Sequence, residues 1–505
     1  MYGVPKLSRE VIFTLFLFAI VILLQPTKVS AATISPAVGV YESTSGDSIC
    51  QLEEAFHNIN NATRTEADCV ETGPYGVNDT ILLPAGTISS SLGGSGFLES
   101  QYDIILEGQG KDVSVLNNIL LYFDGDAGSE SITLKDFTVM GNTTFGIAGD
   151  SLQNMLVEGI EIDGQNLPIN YEAAGIFATN VHSVTVRDSY IHDMHGYTGS
   201  GFESESGIAI LVSDTNSNVV IERTTIDNTK TGVALGSHSS SFNITATIRN
   251  STFANLVNDT NNGPSSLEAG TGIAAISDNG GNIIYTTANN TFYNITKAGS
   301  NPDYTGAAIF EFVEDSGGHI THTAQNNLFA ADDGDNSGVV NYSRTLGSSI
   351  ISPGDYTLTS SGGNVSNDTS LASFLNHTTD KHNQSSLASS LEPLADNGGQ
   401  VPTIALKQGS PAIDAGTAVA GLSTDARGGS RVLGAATDSG AYEFSLANAG
   451  SNGAPNELAG KAIPGVPKTG FALLLNNPVI TLLGTSLSAI ILWVLSKRTK
   501  LRRFW

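Results

Sequence analysis

A short pattern of apolar and polar positions recurs through the middle of the chain. An aliphatic residue is followed two positions later by Asn or Asp and three positions after that by Ile, Val or Phe, as in 134–139 and 248–253. Two copies carry Gly159 and Arg223 in place of the Asn or Asp. Seven copies end, 23 to 39 residues apart, at Val139, Ile162, Ile191, Ile226, Phe253, Phe292 and Phe329. A constant core with loops of variable length is typical of a solenoid.

The segments around this pattern predict short strands and tight turns. Residues 183–186 and 218–221 are rich in β-branched side chains and partly alternate, as half-buried strands do. A second predicted strand in each repeat opens with glycine, at Gly175, Gly207, Gly232, Gly272 and Gly306. Asn250, Asn289 and Asn326 share one turn position, where Asn tolerates left-handed backbone and stacked amides can hydrogen-bond to one another.

These elements predict an all-β fold, a parallel β-helix whose strands stack about 4.8 Å apart on the coils above and below. A β-sandwich is the main alternative, because it also consists of many short strands. A propeller fits less well, because its blades are more uniform in length. The recurring polar turn and the glycine-led partner strand favour the β-helix.

Both termini carry signals for export. Residues 1–31 begin with Lys6 and Arg9, continue with an apolar run over 11–24 and end in small residues, as a cleaved signal peptide does. An uncleaved anchor is the alternative, but the run is short for a membrane span, which needs about 20 residues. Near the C-terminus, a predicted transmembrane segment over 478–495 precedes five cations, the pattern of a stop-transfer signal.

A pentapeptide precedes that segment: Val466, Pro467, Lys468, Thr469 and Gly470. With the apolar segment and the basic tail, it resembles the sorting signal of sortase-anchored wall proteins, although the family motif usually begins with Leu. The resemblance implies that a sortase-like transpeptidase cleaves the bond between Thr469 and Gly470 and joins the new carboxylate to the cell envelope. A plain single-pass membrane anchor is the alternative.

Helical periodicity is confined to 49–59, beside the only two cysteines, Cys50 and Cys69. The apolar face of this stretch consists of Leu52, Ala55, Phe56 and Ile59. We expect a short helix that covers the open end of the solenoid, whose edge would otherwise pair with other chains. Two cysteines are too few for a convincing metal site, and export permits a disulfide between them.

The cap and the C-terminal region resemble one family of bacterial β-helical surface proteins. The family hallmark is Cys-Ser-Leu-Arg-Glu-Ala-Ile, then Asp-Thr-Ile-x-Leu-Pro-Ala-Gly-Thr; residues 50–56 and 79–87 match it, except at Gln51, Glu53 and Phe56. Four later blocks resemble, in order, the terminal choice-of-anchor Q domain of that family: 394–400, 409–416, 424–428 and 440–444. The resemblance implies a right-handed, pectate-lyase-like β-helix on the cell surface, and it names no ligand.

Charge narrows the set of partners. The chain has 23 Lys and Arg against 49 Asp and Glu, a net charge of −26, and eight of the cations lie either in residues 1–31 or in the tail after residue 495. Such a surface repels nucleic acid and anionic membranes. We therefore expect an extracellular glycan or a partner-cell surface as the partner, with the membrane contacted only through the C-terminal segment.

One region concentrates candidate catalytic residues: Asp188, His192, Asp193, His195, Glu203 and Glu205. A lyase needs a base and a cation, which Arg187 or Arg223 would supply, and a hydrolase needs two carboxylates across one glycosidic bond. The alternative is a row of solvated turn residues, because polar residues recur at the position of Asp193 in other copies, namely Asn228, Asn255 and Asn294. We favour the turn, and therefore assign no catalytic residue.

A second acidic group offers a calcium site, and calcium is the one cofactor that the sequence suggests. Asp332, Asp333 and Asp335 surround a glycine turn, and closely spaced carboxylates can supply several oxygen ligands. The remaining ligands of the helix-loop-helix calcium motif are missing. An exposed acidic loop is the alternative.

The sequence thus predicts six regions: a signal peptide (1–31), an N-terminal cap (32–78), a parallel β-helix (79–390), a terminal block (391–444), a flexible spacer (445–465) and a sorting signal (466–505). We expect an adhesin or glycan-binding protein anchored on the cell surface rather than an enzyme. An anchored polysaccharide lyase or glycoside hydrolase is the alternative.

Overall fold

The described part of the chain consists of short strands and one α-helix. The computed structural model describes residues 31–446 except 43, 45, 77, 91–95, 101, 126–127, 142–144, 166–172, 195–205, 215, 259–269, 298–305, 314–316, 332–338 and 345–354. In these residues no helix is long and apolar enough to cross a membrane. The predicted segment 478–495 and nearly all of the predicted signal peptide lie outside them.

Most strands belong to three parallel sheets. In spatial order, sheet A consists of β1 (Thr33–Ile34), β3 (Asp79–Leu82), β6 (Ile104–Glu107), β9 (Ser131–Lys135), β12 (Asn154–Glu158), β15 (Ser183–Arg187), β18 (Ser217–Glu222), β21 (Asn243–Arg249), β25 (Asn282–Ala288), β29 (His319–Gln325) and β32 (Tyr356–Gly362). Sheet B consists of β2 (Gly39–Val40), β4 (Gly86–Ser89), β7 (Ser114–Asn117), β10 (Thr138–Met140), β13 (Glu161–Asp163), β16 (Tyr190–His192), β19 (Thr225–Asp227), β22 (Thr252–Ala254), β26 (Thr291–Tyr293), β30 (Leu328–Ala330) and β33 (Val365–Ser366). Sheet C consists of β5 (Gly96–Ser100), β8 (Ile119–Asp124), β11 (Phe145–Asp150), β14 (Ala173–Thr179), β17 (Ser206–Ser213), β20 (Thr231–Ser237), β24 (Thr271–Ser277), β28 (Ala307–Val313) and β31 (Val340–Ser343).

Two small sheets and a short turn complete the described elements. They are the parallel pair β23 (Val257–Asn258) and β27 (Thr296–Lys297), the antiparallel hairpin of β34 (Leu391–Ala395) and β35 (Thr403–Leu406), and the 3₁₀ turn Ala388–Ser390. Along most of the chain, each coil contributes one strand to each large sheet, and every such strand pairs in parallel with the coils before and after it. The all-β solenoid predicted from the repeat is confirmed at this level, and the pairing is not that of an antiparallel sandwich.

The closing residue of each repeat points into the core. All seven of these residues are buried, and the rings of Phe253, Phe292 and Phe329 stack with centroids 4.8 and 5.2 Å apart. The glycine-led strands pack against this column. A Cβ at Gly232 would lie 2.7 Å from the Phe253 ring and 2.4 Å from the carbonyl oxygen of Gly272, so only glycine allows this approach.

The N-terminal end is covered by the predicted helix, α1 (Leu52–Asn60). It begins three residues later than the periodicity indicates, because the side chain of Glu54 accepts the backbone N–H of Gln51 at 3.1 Å and caps the first turn. The predicted apolar face of α1 is buried. The predicted disulfide between Cys50 and Cys69 is present beside it.

The C-terminal block folds back along the outside of sheet B. Its apolar residues, among them Leu391, Ile404 and Tyr442, cover the outward side chains of Ala254 and Leu328. The repeating turn asparagines hold it in place. Their backbone is left-handed as predicted, and the amide of Asn326 donates to that of Asn289 at 3.3 Å. Each also binds a block carbonyl, at Thr424 (2.8 Å), Asp438 (3.1 Å) and Thr417 (2.6 Å) for Asn250, Asn289 and Asn326 respectively.

Candidate functional site

Polar side chains form two rows on the outer face of sheet B, beyond the edge of the terminal block. In each three-residue strand the middle residue points inward, so the first and third point outward. The register places Glu161, Tyr190 and Thr225 in one row. Asp163, His192 and Asp227 form the other row. From β22 onward, the outward positions include the small or apolar residues that the block covers.

His192 lies at the centre of these rows, with each ring nitrogen facing a carboxylate. Nε2 is 3.1 Å from Glu161 Oε1 and Nδ1 is 2.7 Å from Asp193 Oδ2, while Asp163 Oδ1 lies 3.9 Å from Nδ1. Burial by itself lowers the pKa of His192, but these hydrogen bonds and carboxylate charges outweigh it and raise the pKa to about 9. The same hydrogen bond lowers the pKa of Glu161. His192 is therefore an imidazolium at neutral pH.

Asp227 occupies a different environment one coil further on. Its carboxylate accepts hydrogen bonds from the Tyr190 hydroxyl at 3.2 Å and from the Asn255 amide at 2.7 Å. Burial raises the pKa of Asp227, and the nearby charge of Asp193 contributes in the same direction. The site thus contains one carboxylate held in its ionised form by an imidazolium and another whose ionised form is destabilised.

A groove separates these rows from the β34–β35 hairpin of the terminal block. The Thr225 hydroxyl donates to the Pro402 carbonyl at 2.6 Å, and the Lys111 ammonium donates to the Gln400 carbonyl, so the tip of the hairpin is fixed against the solenoid. The cavity between them has a volume of about 400 Å³. Its polar lining includes Tyr190, Asp227, Asn255, Tyr293, Asn294 and Asp396.

The structure divides the candidate catalytic cluster predicted from the sequence. Asp188 does not join His192: it binds the Arg223 guanidinium through two hydrogen bonds, each 2.7 Å long. Arg187 pairs with Glu158 at 3.0 Å, so both predicted cations are already engaged. His195, Glu203 and Glu205 lie outside the described residues.

The turn interpretation of Asp193 agrees with its geometry. Asp193, Asn228, Asn255 and Asn294 all have left-handed backbone, with φ between 49° and 57°. Their side chains form two hydrogen-bonded pairs: the Asn228 amide donates to Asp193, and the Asn294 amide donates to Asn255 at 2.7 Å. Asp193 nevertheless also holds His192, so a structural turn residue contributes to the site.

Several residues of the groove and of the adjoining cluster were missed by the sequence interpretation. Glu161, Tyr190 and Asp227 directly flank the closing residues of three repeats, and aligning the repeats on those residues would have placed them side by side. The hairpin gave no comparable signal. Its contact between Thr225 and Pro402 joins positions 177 residues apart.

Two predicted sites lie outside the described residues: the calcium candidate Asp332, Asp333 and Asp335, and the sorting motif 466–470. Within the described part, ligand atoms of Asp163, His192 and Asp193 lie within 4.8 Å of one another. A metal ion there would have to displace the proton of an imidazolium whose pKa is about 9. We therefore interpret this group as an ion-pair cluster.

Comparison of the chain with protein-family models, with curated proteins and with solved structures gave no match. The groove is therefore interpreted from its own chemistry. Tyrosine rings offer flat apolar faces, and the amide and carboxylate groups beside them form directional hydrogen bonds. This combination suits a flat ligand that is rich in hydroxyl groups.

Proposed function

We propose that this chain is an extracellular, envelope-anchored β-helical surface protein that binds glycan in the groove. The observation that carries the proposal is the lining of that groove. Tyr293 provides a ring on which a sugar can stack, and Tyr190 lines the groove with one ring face already stacked on His192, the centroids 4.2 Å apart. Asp227 and Asn255, on the two coils between these tyrosines, provide hydrogen-bonding groups. All four lie on or directly after strands of one sheet, so the groove is held by rigid elements.

Features of the N-terminal and C-terminal regions support the family resemblance within this proposal. The cap segment that resembles the family hallmark carries a disulfide, and disulfides persist in oxidising compartments outside the cytosol. The later blocks interact closely: Asp425 binds Arg427 at 2.6 Å, and Arg427 donates to the Glu443 carbonyl at 2.7 Å.

Right-handed winding of the solenoid is part of the proposal, since crossovers between parallel strands have that hand in about 98% of cases.

Anchoring is proposed from the sequence of residues 466–505, which lie outside the described residues. We infer attachment through Thr469 after cleavage at Gly470. Thr469→Ala should leave the protein exported but not covalently attached. A surface form that ends at Trp505 and is extracted by detergent alone would show a plain membrane anchor instead.

Glycan binding is tested by titrating the purified chain with a panel of oligosaccharides. Tyr293→Ala should weaken binding about tenfold or more, because a stacked ring contributes about 1 to 3 kcal/mol. Tyr102→Ala is the control, since Tyr102 is 48% exposed and does not line the groove. Absence of binding to every sugar, or equal losses in the two variants, would contradict the proposal.

A glycoside hydrolase is the second candidate, favoured by the two carboxylates that flank His192. Asp163 and Asp227 lie two coils apart in one row, about 9.6 Å at the usual strand spacing, close to the separation of the carboxyl pair in inverting hydrolases, roughly 6.5 to 9.5 Å. Release of new reducing ends, lost in Asp227→Asn, would establish it. A lyase has less support, because Arg187 and Arg223 are paired with carboxylates.

A further inference from the structure

Carboxylates surround the groove. Asp227 and Asp396 line it, and Asp193, Asp163 and Glu161 follow within the adjoining cluster on the outer face of sheet B. This arrangement concerns the described residues alone. It gives the groove and its immediate surroundings several acidic groups, whose charges attract a cationic ligand.

Three cations near the groove, among the residues whose side chains the structure describes, are already engaged. The Lys111 ammonium is bound to the Gln400 carbonyl, and burial lowers the pKa of Lys111. His192 is held among three carboxylates. Arg223 is paired with Asp188 and Glu222. An anionic sugar in the groove would therefore meet the carboxylates of Asp227 and Asp396, and these three cations are already bound to other groups.

We propose that the glycan recognised in this groove carries free amino groups, as a glucosamine polymer does; this inference rests on the glycan-binding function proposed above. An ammonium group has three hydrogen-bond donors and no acceptor, and a carboxylate has only acceptors, so an ammonium group can bind directly to the carboxylates that line the groove. Its hydrogen bonds to Asp227 and Asp396 would be charge-assisted, and such bonds are shorter and stronger than neutral ones. The ring of Tyr293 also attracts a cation over its face.

The environment of Asp227 supports this choice of ligand. Burial and the nearby charge of Asp193 raise the pKa of Asp227, so the ionised form of this carboxylate is destabilised in the free protein, at a cost in free energy. A bound ammonium would offset that cost. An N-acetylated sugar would keep the stacking but lose the ion pair, and a uronate would add a repulsion.

Three oligosaccharides of equal length separate these possibilities: a glucosamine tetramer, an N-acetylglucosamine tetramer and a galacturonate tetramer. Each is titrated into the full chain by calorimetry at low salt and at 0.5 M salt. We expect the glucosamine tetramer to bind about tenfold or more tightly than its acetylated form, and to lose most of this preference at high salt. The galacturonate tetramer should bind most weakly.

Asp227→Asn tests the residue directly, because the amide has the same shape and lacks the charge. It should remove most of the preference for the glucosamine tetramer, so that the ratio of its affinity to that of the acetylated tetramer falls toward one, whatever the change in the two affinities themselves. Asp214→Asn is the matched control: it removes one carboxylate elsewhere on the solenoid, and Asn tolerates the backbone there, where φ is 53°.

The outcomes distinguish the two proposals. Binding of the acetylated tetramer with no preference for free amines would overturn this inference and leave glycan binding intact, as would tightest binding of the galacturonate tetramer. A preference that survives in Asp227→Asn would also overturn it. Failure of all three sugars to bind would contradict the glycan-binding function itself.

Discussion

The guanidinium of Arg431 donates a hydrogen bond to the side-chain oxygen of Asn250, which lies 181 residues earlier in the chain. Both residues are buried, at 3% and 1% exposure. A turn residue of the solenoid thus provides a partner for a buried cation of the terminal block. Since a buried charge without partners is strongly destabilising, this contact makes the block depend on the repeat that it covers.

Asn250→Gly should therefore loosen the terminal block. Glycine keeps the left-handed backbone but removes the contacts to Arg431 and Thr424, so we expect local unfolding of 387–446 to become easier by about 2 to 4 kcal/mol. Hydrogen exchange of the block measures this. Asn180→Gly is the control, since Asn180 has φ of 52° and binds Asp150 instead. Equal protection of the block in both variants would show that the contact is dispensable.

The imidazolium of His192 should make the solenoid less stable in alkaline solution. Its pKa is raised from 6.5 to about 9 in the folded protein, so its contribution is fully present below pH 6.5 and is lost as the pH rises through 9. The loss is on the order of 3 kcal/mol. Urea unfolding gives the free energy of unfolding at pH 6 and at pH 9.5. The difference between these two values should be smaller for His192→Gln than for the native chain. Equal differences would place the folded pKa of His192 near its ordinary value.

Glu443 should also make the terminal block less stable as the pH rises, but in a lower pH range than His192 does for the solenoid. Burial, with the nearby charge of Asp438, raises the pKa of Glu443 from 4.5 to about 7. Its stabilising protonation is complete below pH 4.5 and is lost as the pH rises through 7. Hydrogen exchange of 425–444 should therefore accelerate, after correction for the intrinsic rate, between pH 5 and pH 8. Glu443→Gln should flatten this dependence, and an unchanged slope would contradict the assignment.

The glycine-led strands allow a comparison between two similar positions. Gly232→Ala should destabilise the protein by about 1 to 3 kcal/mol, because the new methyl would collide with backbone and with the Phe253 ring. Gly306→Ala should be nearly neutral, since the nearest atom of the described residues, a methyl carbon of Val339, lies 3.4 Å from its Cβ position. Thermal unfolding of both variants decides the point. Similar decreases in melting temperature for the two variants would mean that the Phe253 ring can move aside to admit the new methyl group.

The elements that repeat were predictable from the sequence, and the contacts between distant segments were not. Phe253 and Asn289 recur at fixed positions of the pattern, and both a buried column and a turn column follow from that recurrence. The interpretation of Arg223 as a cation for catalysis was incomplete, because its partner Asp188 is a neighbour only after the coils stack. The groove depends on a hairpin that returns to Thr225, and no local pattern encodes that return.

The fold-back of the terminal block would determine how the protein responds to a pull on its C-terminal side. Just before Phe444, the backbone N–H groups of Gly440 and Ala441 donate to the carbonyl of Asn326, beside β30, and to the hydroxyl of Thr291 in β26. A pull on the chain beyond this point therefore acts first on contacts that span the coils of Asn250, Asn289 and Asn326 together. Bonds loaded side by side share the force, whereas coils pulled from an open end would separate one after another. The block would act as a clamp that protects the solenoid from unravelling under tension.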